Sequence, residues 1–457
     1  MRYLLFAQFK VFYSSWRKTT DPMTLGKPGY MPRIIDKQIK ESLGIFGVVS
    51  IEGPKWCGKT WSSLNHANSV NYIMDPAGVY GNRERALLNP TLALEGNKPH
   101  LIDEWQEVPG IWDAVRFDVD QTPGAGKYIL TGSATPRRDA YKHSGTGRFA
   151  IIRMRPMSLF ESGDSSGAVS LESLFQGNRI DPFSADMDLG RLIDVTVRGG
   201  WPETLLLPID LAGRVSAEYI GTVLKNEAFG NSFVRRNPLK LRTLLRALAR
   251  NNATTVNIST LSLDIDGDAQ TTRTTQANNE LSISRNTTSA YLEDLSRMFI
   301  IEDIAGWSPG IRSKTRIRMS PKKVFADPSL AIAALGLNRE RLLHDLNTYG
   351  FMFENLCLRD FAVYAESKGG ALYHYRDNSG IEVDAVIEMP DGAWGAFEIR
   401  LGEHRVEAAA QTLRRMCNKL VATGARPPAC LCVITGGGFG RLRDDGIYVI
   451  PINALKP

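Results

Sequence analysis

The chain has 457 residues, 43% hydrophobic and 23% charged, which are ordinary globular values and exclude a disordered or fibrous protein. Its formal net charge of +6 is compatible with nucleic acid binding without requiring it. The 5 cysteines are odd in number and widely spaced, which argues against a disulfide framework and favours a cytoplasmic location. Nothing predicts a membrane-spanning helix or a signal peptide, and we expect residues 1–30 to be an N-terminal extension.

Residues 31–160 alternate helical and strand-like stretches, as α/β domains do. Apolar residues at helical spacing predict a helix over 33–43. Three β-rich runs follow at 47–52, 100–104 and 127–133, and each ends in polar or glycine residues. This pattern predicts a parallel sheet whose carboxyl edge binds a ligand.

The first of these strands leads into a complete phosphate-binding loop, G-x-x-x-x-G-K-[ST]. By chance this pattern should occur on the order of 0.02 times in such a chain. Lys59 is predicted to reach the β- and γ-phosphates, and the Thr60 hydroxyl to ligate Mg²⁺. The predicted nucleotide-binding residues are Gly53, Pro54, Lys55, Trp56, Cys57, Gly58, Lys59 and Thr60.

Acids and hydroxyls end the next two strands. We expect Asp103 to hold the water shell of Mg²⁺ and Glu104 to be the catalytic base, with Gln106 as an assistant. Thr131 and Ser133 are candidates for sensing the γ-phosphate. The alternative is that these two hydroxyls only cap a turn.

An arginine is expected to offset charge on the transferred phosphoryl group. Arg148, which follows Gly145-Thr146-Gly147, is the candidate, and the alternative is a solvated or salt-bridged side chain. Other arginines compete for the role: Arg137, Arg138, Arg153 and Arg155.

The middle of the chain is predicted to contain a linker and helical region (161–240) and a winged helix-turn-helix (241–345). Residues 162–188 are rich in Gly, Ser and Asp and are predicted to be a loop or linker. The winged-helix elements are predicted as helices over 241–250, 256–263 and 284–299, wing strands over 300–304 and 315–319, and a flexible loop over 264–279.

Basic residues accumulate around the predicted recognition helix and wing: Arg285, Arg297, Arg312, Lys314, Arg316, Arg318, Lys322 and Lys323. Such a region suits the DNA backbone. The alternative is a solvated basic surface in a domain that binds a protein partner or self-associates.

Residues 346–457 predict a separate small α/β domain that begins with the order α-β-β-β-α-β. Its helices are predicted over 353–368 and 405–420. Its strands are predicted over 371–376, 381–389, 393–402, 429–435 and 447–450.

Several motifs together resemble those of prokaryotic AAA-type P-loop ATPases that carry a C-terminal domain of unknown function, DUF4143. They are the phosphate loop with its preceding strand, Tyr30–Asp36, Ile102–Gln106, Leu130–Ala134, Ser144–Arg148, Arg155–Ser162 and Gly199–Pro202. The resemblance covers roughly residues 30–455. It implies ATP as the nucleotide, an AAA core, a winged-helix middle and a nuclease-like C-terminal fold.

The C-terminal domain has a second group of acids. Asp384 and Glu398 fall on neighbouring predicted strands, as in PD-(D/E)xK nucleases, and Glu354 is a possible third acid. Arg400 stands where those nucleases have lysine, and arginine does not readily release a proton. We therefore expect a retained fold without cleavage, whose residual site is Asp384, Glu398 and Arg400.

These observations predict a Mg²⁺-dependent ATPase that couples nucleotide state to winged-helix and nuclease-like domains. Two alternatives stay open. One is an ATP-dependent nuclease, and the other is a low-turnover nucleotide switch that binds DNA or protein.

Overall fold

The computed structural model describes residues 25–77, 80–135, 145–225, 237–271, 284–310 and 319–457, without the side chains of 266–271. The chain divides into two compact units, residues 1–154 and 155–457. The predicted N-terminal extension lies outside the described residues up to residue 24.

The first unit is a five-stranded sheet of order β2-β3-β4-β1-β5 in which every strand pair is parallel. The strands are β1 (Val48–Glu52), β2 (Ser69–Tyr72), β3 (His100–Asp103), β4 (Tyr128–Gly132) and β5 (Phe149–Arg153). The helices are α1 (Ile35–Leu43), α2 (Lys59–Leu64), α3 (Gly81–Leu88) and α4 (Gly110–Gln121). Because the strands are parallel, their carboxyl ends share one edge, as the sequence predicted.

The central strands of this sheet are nearly continuous apolar runs, as expected where both faces are covered. Every residue of β4 is buried, and so is all of β1 except its last residue. Helix α4 covers the sheet with Ile111, Trp112 and Val115. Each such large side chain contributes about 1.5–3 kcal/mol when it leaves water.

The second unit contains a mixed seven-stranded sheet of order β10-β11-β12-β13-β15-β14-β7, in which β7 is Phe183–Ala185. The C-terminal strands are β10 (Ala371–Arg376), β11 (Glu382–Glu388), β12 (Trp394–Arg400), β13 (Cys430–Thr435), β14 (Gly438–Leu442), β15 (Tyr448–Pro451) and β16 (Leu455–Lys456). Pairs β10-β11 and β11-β12 are antiparallel, whereas β12-β13 and β13-β15 are parallel. The long helices are α13 (Leu346–Glu366) and α14 (Val406–Ala422), and β14 is a strand that the sequence analysis missed.

A helical region precedes this sheet in the chain. Its helices are α6 (Leu189–Arg198), α7 (Ile209–Leu224), α8 (Pro238–Arg250), α9 (Ile258–Thr271), α10 (Arg285–Arg297), α11 (Pro328–Leu335) and α12 (Arg339–His344). Strands β8 (Ile301–Ile304) and β9 (Lys322–Phe325) form an antiparallel pair. A helix is thus present as α10 where the recognition helix was predicted over 284–299, and a strand as β8 where the first wing strand was predicted over 300–304.

Two predictions for this region were wrong. Residues 162–188 are not a simple linker: they hold β6 (Val169–Ser170), α5 (Leu171–Phe175) and β7 (Phe183–Ala185), and β6 and β7 pair with C-terminal strands. Buried apolar residues, Val169, Leu171 and Leu174, anchor this Gly- and Ser-rich stretch.

Helix α9 also runs through residues 264–271, where a flexible loop was predicted. Strand β8 pairs with β9. The second predicted wing strand, over 315–319, falls almost entirely outside the described residues. Residues 272–279 and 315–318 lie outside the described part of the chain.

Candidate nucleotide-binding site

The phosphate loop connects β1 to α2 in a conformation that requires glycine twice. Gly58 has φ 104°, in the left-handed region where a side chain is strained. A Cβ on Gly53 would lie 2.1 Å from the carbonyl oxygen of Met154. The two glycines of the motif therefore permit one tight turn and one close backbone approach.

Lys59 is folded into this loop and is 5% exposed. Its Nζ donates to the carbonyl oxygens of Gly53, at 2.9 Å, and Pro54, at 2.8 Å. An ammonium group has three N–H donors, so two bonds to the loop leave one for a phosphate oxygen. The loop thus holds the ammonium group against its own backbone, and the contact of Lys59 with the β- and γ-phosphates stays a prediction.

Asp103, at the end of β3, bonds to residues of α2 and β4 at the carboxyl edge of the sheet. Its Oδ1 accepts hydrogen bonds from the hydroxyls of Thr60, at 2.8 Å, and Thr131, at 2.6 Å. Burial raises the pKa of Asp103, so its charged form gains from a nearby cation. Hydroxyl and carboxylate oxygens are hard ligands that suit Mg²⁺, and the predicted pair Thr60 and Asp103 fits that ion.

Glu104 begins the next turn with φ 58°, a strained conformation for a non-glycine residue. Its Oε2 accepts from Ser133 Oγ at 2.7 Å and from the Gln106 side-chain amide. The neighbouring Trp105 is buried and packs on Trp112 with ring centroids 4.9 Å apart. Packing and hydrogen bonds therefore fix the carboxylate of Glu104 beside that of Asp103.

The two hydroxyls predicted as phosphate sensors are engaged with these acids. Thr131 donates to Asp103, and Ser133 donates to Glu104. The structure therefore brings Thr131 into the site as a partner of the metal-site carboxylate.

Arg148 does not reach the phosphate loop within this chain, contrary to the prediction. It precedes β5, whose first residue pairs with Val48 at the amino end of β1. The five residues of β5 separate it from the loop edge by about 16 Å at about 3.3 Å each. Its Nε donates to Asp120 Oδ1 at 2.7 Å, which is the salt-bridge alternative.

Of the competing arginines, Arg153 lies at the correct edge. It ends β5 and pairs in register with Glu52, the residue before the loop. Arg155 forms ion pairs with Glu302 and Glu366. Arg137 and Arg138 lie outside the described residues.

In the C-terminal domain, the predicted group of acids forms ion pairs with basic side chains of the same chain. Asp384 lies on β11 and Glu398 on β12, and Arg400 contacts both, with its Nη1 2.7 Å from Asp384 Oδ2. Lys322, from β9, donates to Glu354 and lies 3.8 Å from Asp384 Oδ1. The sequence analysis placed Lys322 on a DNA-binding surface and missed this role.

This acidic cluster, defined as Glu354, Asp384 and Glu398, balances its charge if one carboxyl group keeps a proton. Burial raises the pKa of Glu354 to about 7 and also raises the pKa of Glu398. Within the described residues, no group of three or more His, Cys, Asp or Glu side chains is arranged to hold a metal ion. The carboxylates of the cluster are instead contacted by Lys322 and Arg400.

The predicted basic surface is largely neutralised where the structure describes it. Lys322 is buried in the acidic cluster, Lys323 pairs with Asp303 at 2.8 Å, and Arg297 lies 3.7 Å from Asp294. Arg285 is exposed, and the other four predicted basic residues lie outside the described residues. The described part therefore gives the DNA prediction little support.

Comparison with protein families matches three parts of the chain. Residues 46–162 match an AAA domain, and residues 349–455 match the domain of unknown function DUF4143. The chain combines an AAA domain with DUF4143. Residues 189–341 match another domain of unknown function, DUF8612, which the sequence analysis did not predict.

The AAA domain contains the phosphate loop, Asp103 and Glu104, so the match and the geometry agree on a P-loop fold. The described residues contain no helix that is long and apolar enough to cross a bilayer.

The chain also resembles two mycobacterial proteins and one archaeal ATPase. It is 22% identical over 365 residues to uncharacterized proteins of Mycobacterium bovis and Mycobacterium tuberculosis, covering 79% of this chain and 72% of each relative. Among solved structures, it is similar to a Walker-type ATPase of Pyrococcus abyssi, with 16% identity and a TM-score of 0.44. That similarity covers 68% of this chain and 97% of the archaeal chain.

Proposed function

We propose that this protein is a Mg²⁺-dependent ATPase whose AAA domain passes its nucleotide state to residues 155–457. The observation that carries the proposal is the hydrogen bond of 2.8 Å from the Thr60 hydroxyl to Asp103 Oδ1 beside the phosphate loop. Loop, hydroxyl and acid are the parts that P-loop enzymes use to hold a nucleotide with its metal ion.

Each residue has a role that follows from its position. Lys59 offsets charge on the β- and γ-phosphates, and Thr60 and Asp103 hold Mg²⁺, which supplies Lewis-acid charge stabilisation. Glu104 orients the attacking water and accepts its proton. Arg153 replaces Arg148 as the candidate that offsets charge on the transferred phosphoryl group. Among the arginines that the structure describes, Arg153 lies at the same edge of the sheet as the phosphate loop and belongs to the first unit.

A low-turnover nucleotide switch is the second candidate function. Ser133 and Gln106 both donate to Glu104, so these bonds compete with any water that the carboxylate must orient. Slow turnover would follow if they persist when ATP is bound. A nuclease function has less support, because Lys322 and Arg400 neutralise the C-terminal acids.

The test measures ATP binding and phosphate release for the parent chain and for Lys59→Ala. We expect the variant to bind ATP at least about 100-fold more weakly, since it loses a charge-assisted contact to phosphate. Lys37→Ala, an exposed lysine on α1, is the matched control and should bind as the parent does. Equal ATP affinity for Lys59→Ala and the parent would remove the site assignment.

A further inference from the structure

The segment Tyr30–Asp36 contacts the phosphate loop from outside, and it precedes the residues that match the AAA domain. Arg33 is 5% exposed, and its Nη1 donates to the carbonyl oxygen of Cys57 at 2.6 Å. Cys57 is the loop residue directly before Gly58. A buried cation therefore holds one particular peptide group of the loop.

The orientation of that peptide matters for anion binding. A trans peptide is planar, so its C=O and N–H groups point in opposite directions. When the Cys57 carbonyl faces Arg33, the N–H of Gly58 faces away from Arg33. In a phosphate loop the backbone N–H groups must converge on the anion, and a peptide flip at this position would replace a donor by an acceptor.

A second contact from the same segment holds the helix that follows the loop. The Tyr30 hydroxyl lies 2.8 Å from both carboxylate oxygens of Asp36 and 2.8 Å from Ser62 Oγ. Ser62 is buried in α2, and its N–H bonds to the carbonyl oxygen of Gly58. The N–H of Arg33 also donates to Asp36, at 2.8 Å, so the two contacts form one unit.

We propose that Arg33 is a positioning residue that orients the Cys57–Gly58 peptide for phosphate, and that Tyr30 and Asp36 hold Arg33 and α2 in place. The proposal rests on the proposed function, since it assigns these residues to the same nucleotide site. Arg33 acts through the loop backbone and fixes the anion-binding conformation before the nucleotide arrives. Preorganisation of this kind increases affinity by lowering the cost of ordering on binding.

The experiment measures the affinity of the full chain for ATP and for inorganic pyrophosphate, together with its thermal melting temperature. The variants are Arg33→Met, Arg33→Lys and Tyr30→Phe, and Lys40→Met, an exposed lysine on α1, is the control for lost charge. We expect Arg33→Met to weaken both ligands by about 10- to 100-fold, as for a lost charged hydrogen bond. Arg33→Lys should recover part of the loss, Tyr30→Phe should lose less, and Lys40→Met should match the parent.

The melting temperature separates positioning from folding. The proposal requires Arg33→Met to bind both pyrophosphate and ATP more weakly than the parent. It also requires Arg33→Lys to melt at the same temperature as the parent and to bind both ligands more tightly than Arg33→Met does. If Arg33→Met does not fold, an unchanged pyrophosphate affinity in folded Tyr30→Phe and Arg33→Lys overturns the proposal. Equal affinity of Arg33→Met and the parent also overturns it and leaves the ATPase proposal intact. A parent chain that binds neither ligand removes both.

Discussion

The phosphate-loop site and the C-terminal acidic cluster each bring carboxyl groups close together, and different groups surround them. Asp103 and Glu104 are consecutive residues at the end of β3, whereas Asp384 and Glu398 lie on the neighbouring strands β11 and β12. Asp103 and Glu104 receive hydrogen bonds from Thr60, Thr131 and Ser133, which are neutral hydroxyls. The acidic cluster receives Lys322 and Arg400, which are cations. Both sites are partly or fully buried, so their charges are poorly compensated by water.

We expect this difference to decide which site can take a metal ion. Hydroxyl donors orient a carboxylate and leave its negative charge available for Mg²⁺. A buried lysine and arginine already compensate that charge, and expelling them would leave ions without partners. Acids therefore have hydroxyl partners in one unit and belong to an internal ion-pair cluster in the other.

The largest effect expected is on turnover in Glu104→Gln. The amide keeps the shape of the side chain and loses the charge that orients and deprotonates water, so the rate should fall about 10²- to 10⁴-fold while ATP binding persists. Single-turnover phosphate release and an ATP titration measure the two quantities. Glu84→Gln, on the exposed face of α3, is the control. Unchanged turnover would move the role to Gln106, and lost binding would make Glu104 structural or a metal ligand.

Next in size is the effect of Lys322→Met on the stability of the second unit. Removing one partner of a buried ion pair leaves the carboxylates uncompensated, which costs about 3–5 kcal/mol of unfolding free energy. Lys323→Met is a matched control on the same strand, because Lys323 pairs with the half-exposed Asp303. This substitution should lower the unfolding free energy by about 0–1 kcal/mol. Denaturant unfolding of both variants measures the difference. Similar costs for the two variants would show that Lys322 does not hold the cluster together.

The sequence predicted those parts of the sites whose residues belong to a local motif or meet through sheet topology, and it missed contacts between residues far apart in the chain. The phosphate loop is a local motif, and strand ends at a parallel edge meet by topology, so Lys59, Thr60, Asp103 and Glu104 were predicted together. Arg148 is near the motif in sequence, but it precedes its strand and so lies at the opposite edge. Lys322 and Glu354 come from separate elements, and no spacing rule pairs them. Residues 162–188 are rich in Gly and Ser, which favoured a loop prediction, so their short strands, helix and buried residues were not predicted.

A smaller effect concerns pH and the acidic cluster. Burial raises the pKa of Glu354 to about 7, above its unfolded value, so the folded state binds the extra proton between about pH 4.5 and 7. The stability of the parent should therefore decrease as pH rises through this window. Glu354→Gln cannot ionise, and its melting temperature should depend less on pH there. A parallel pH dependence of the two melting temperatures would contradict the assignment of the shift to Glu354.

The smallest effect expected is on DNA cleavage, which should be absent in the parent and in Arg400→Lys. Restoring the lysine of the nuclease pattern leaves Lys322 in contact with Glu354 and close to Asp384, so the acids stay compensated and a metal ion has no free carboxylate pair. Plasmid incubated with each protein, ATP and Mg²⁺ or Mn²⁺ should stay intact. Cleavage by the parent that disappears in Asp384→Ala would establish an ATP-dependent nuclease. Cleavage by Arg400→Lys alone would trace the inactivity to that one residue and would show that Lys322 does not block the site.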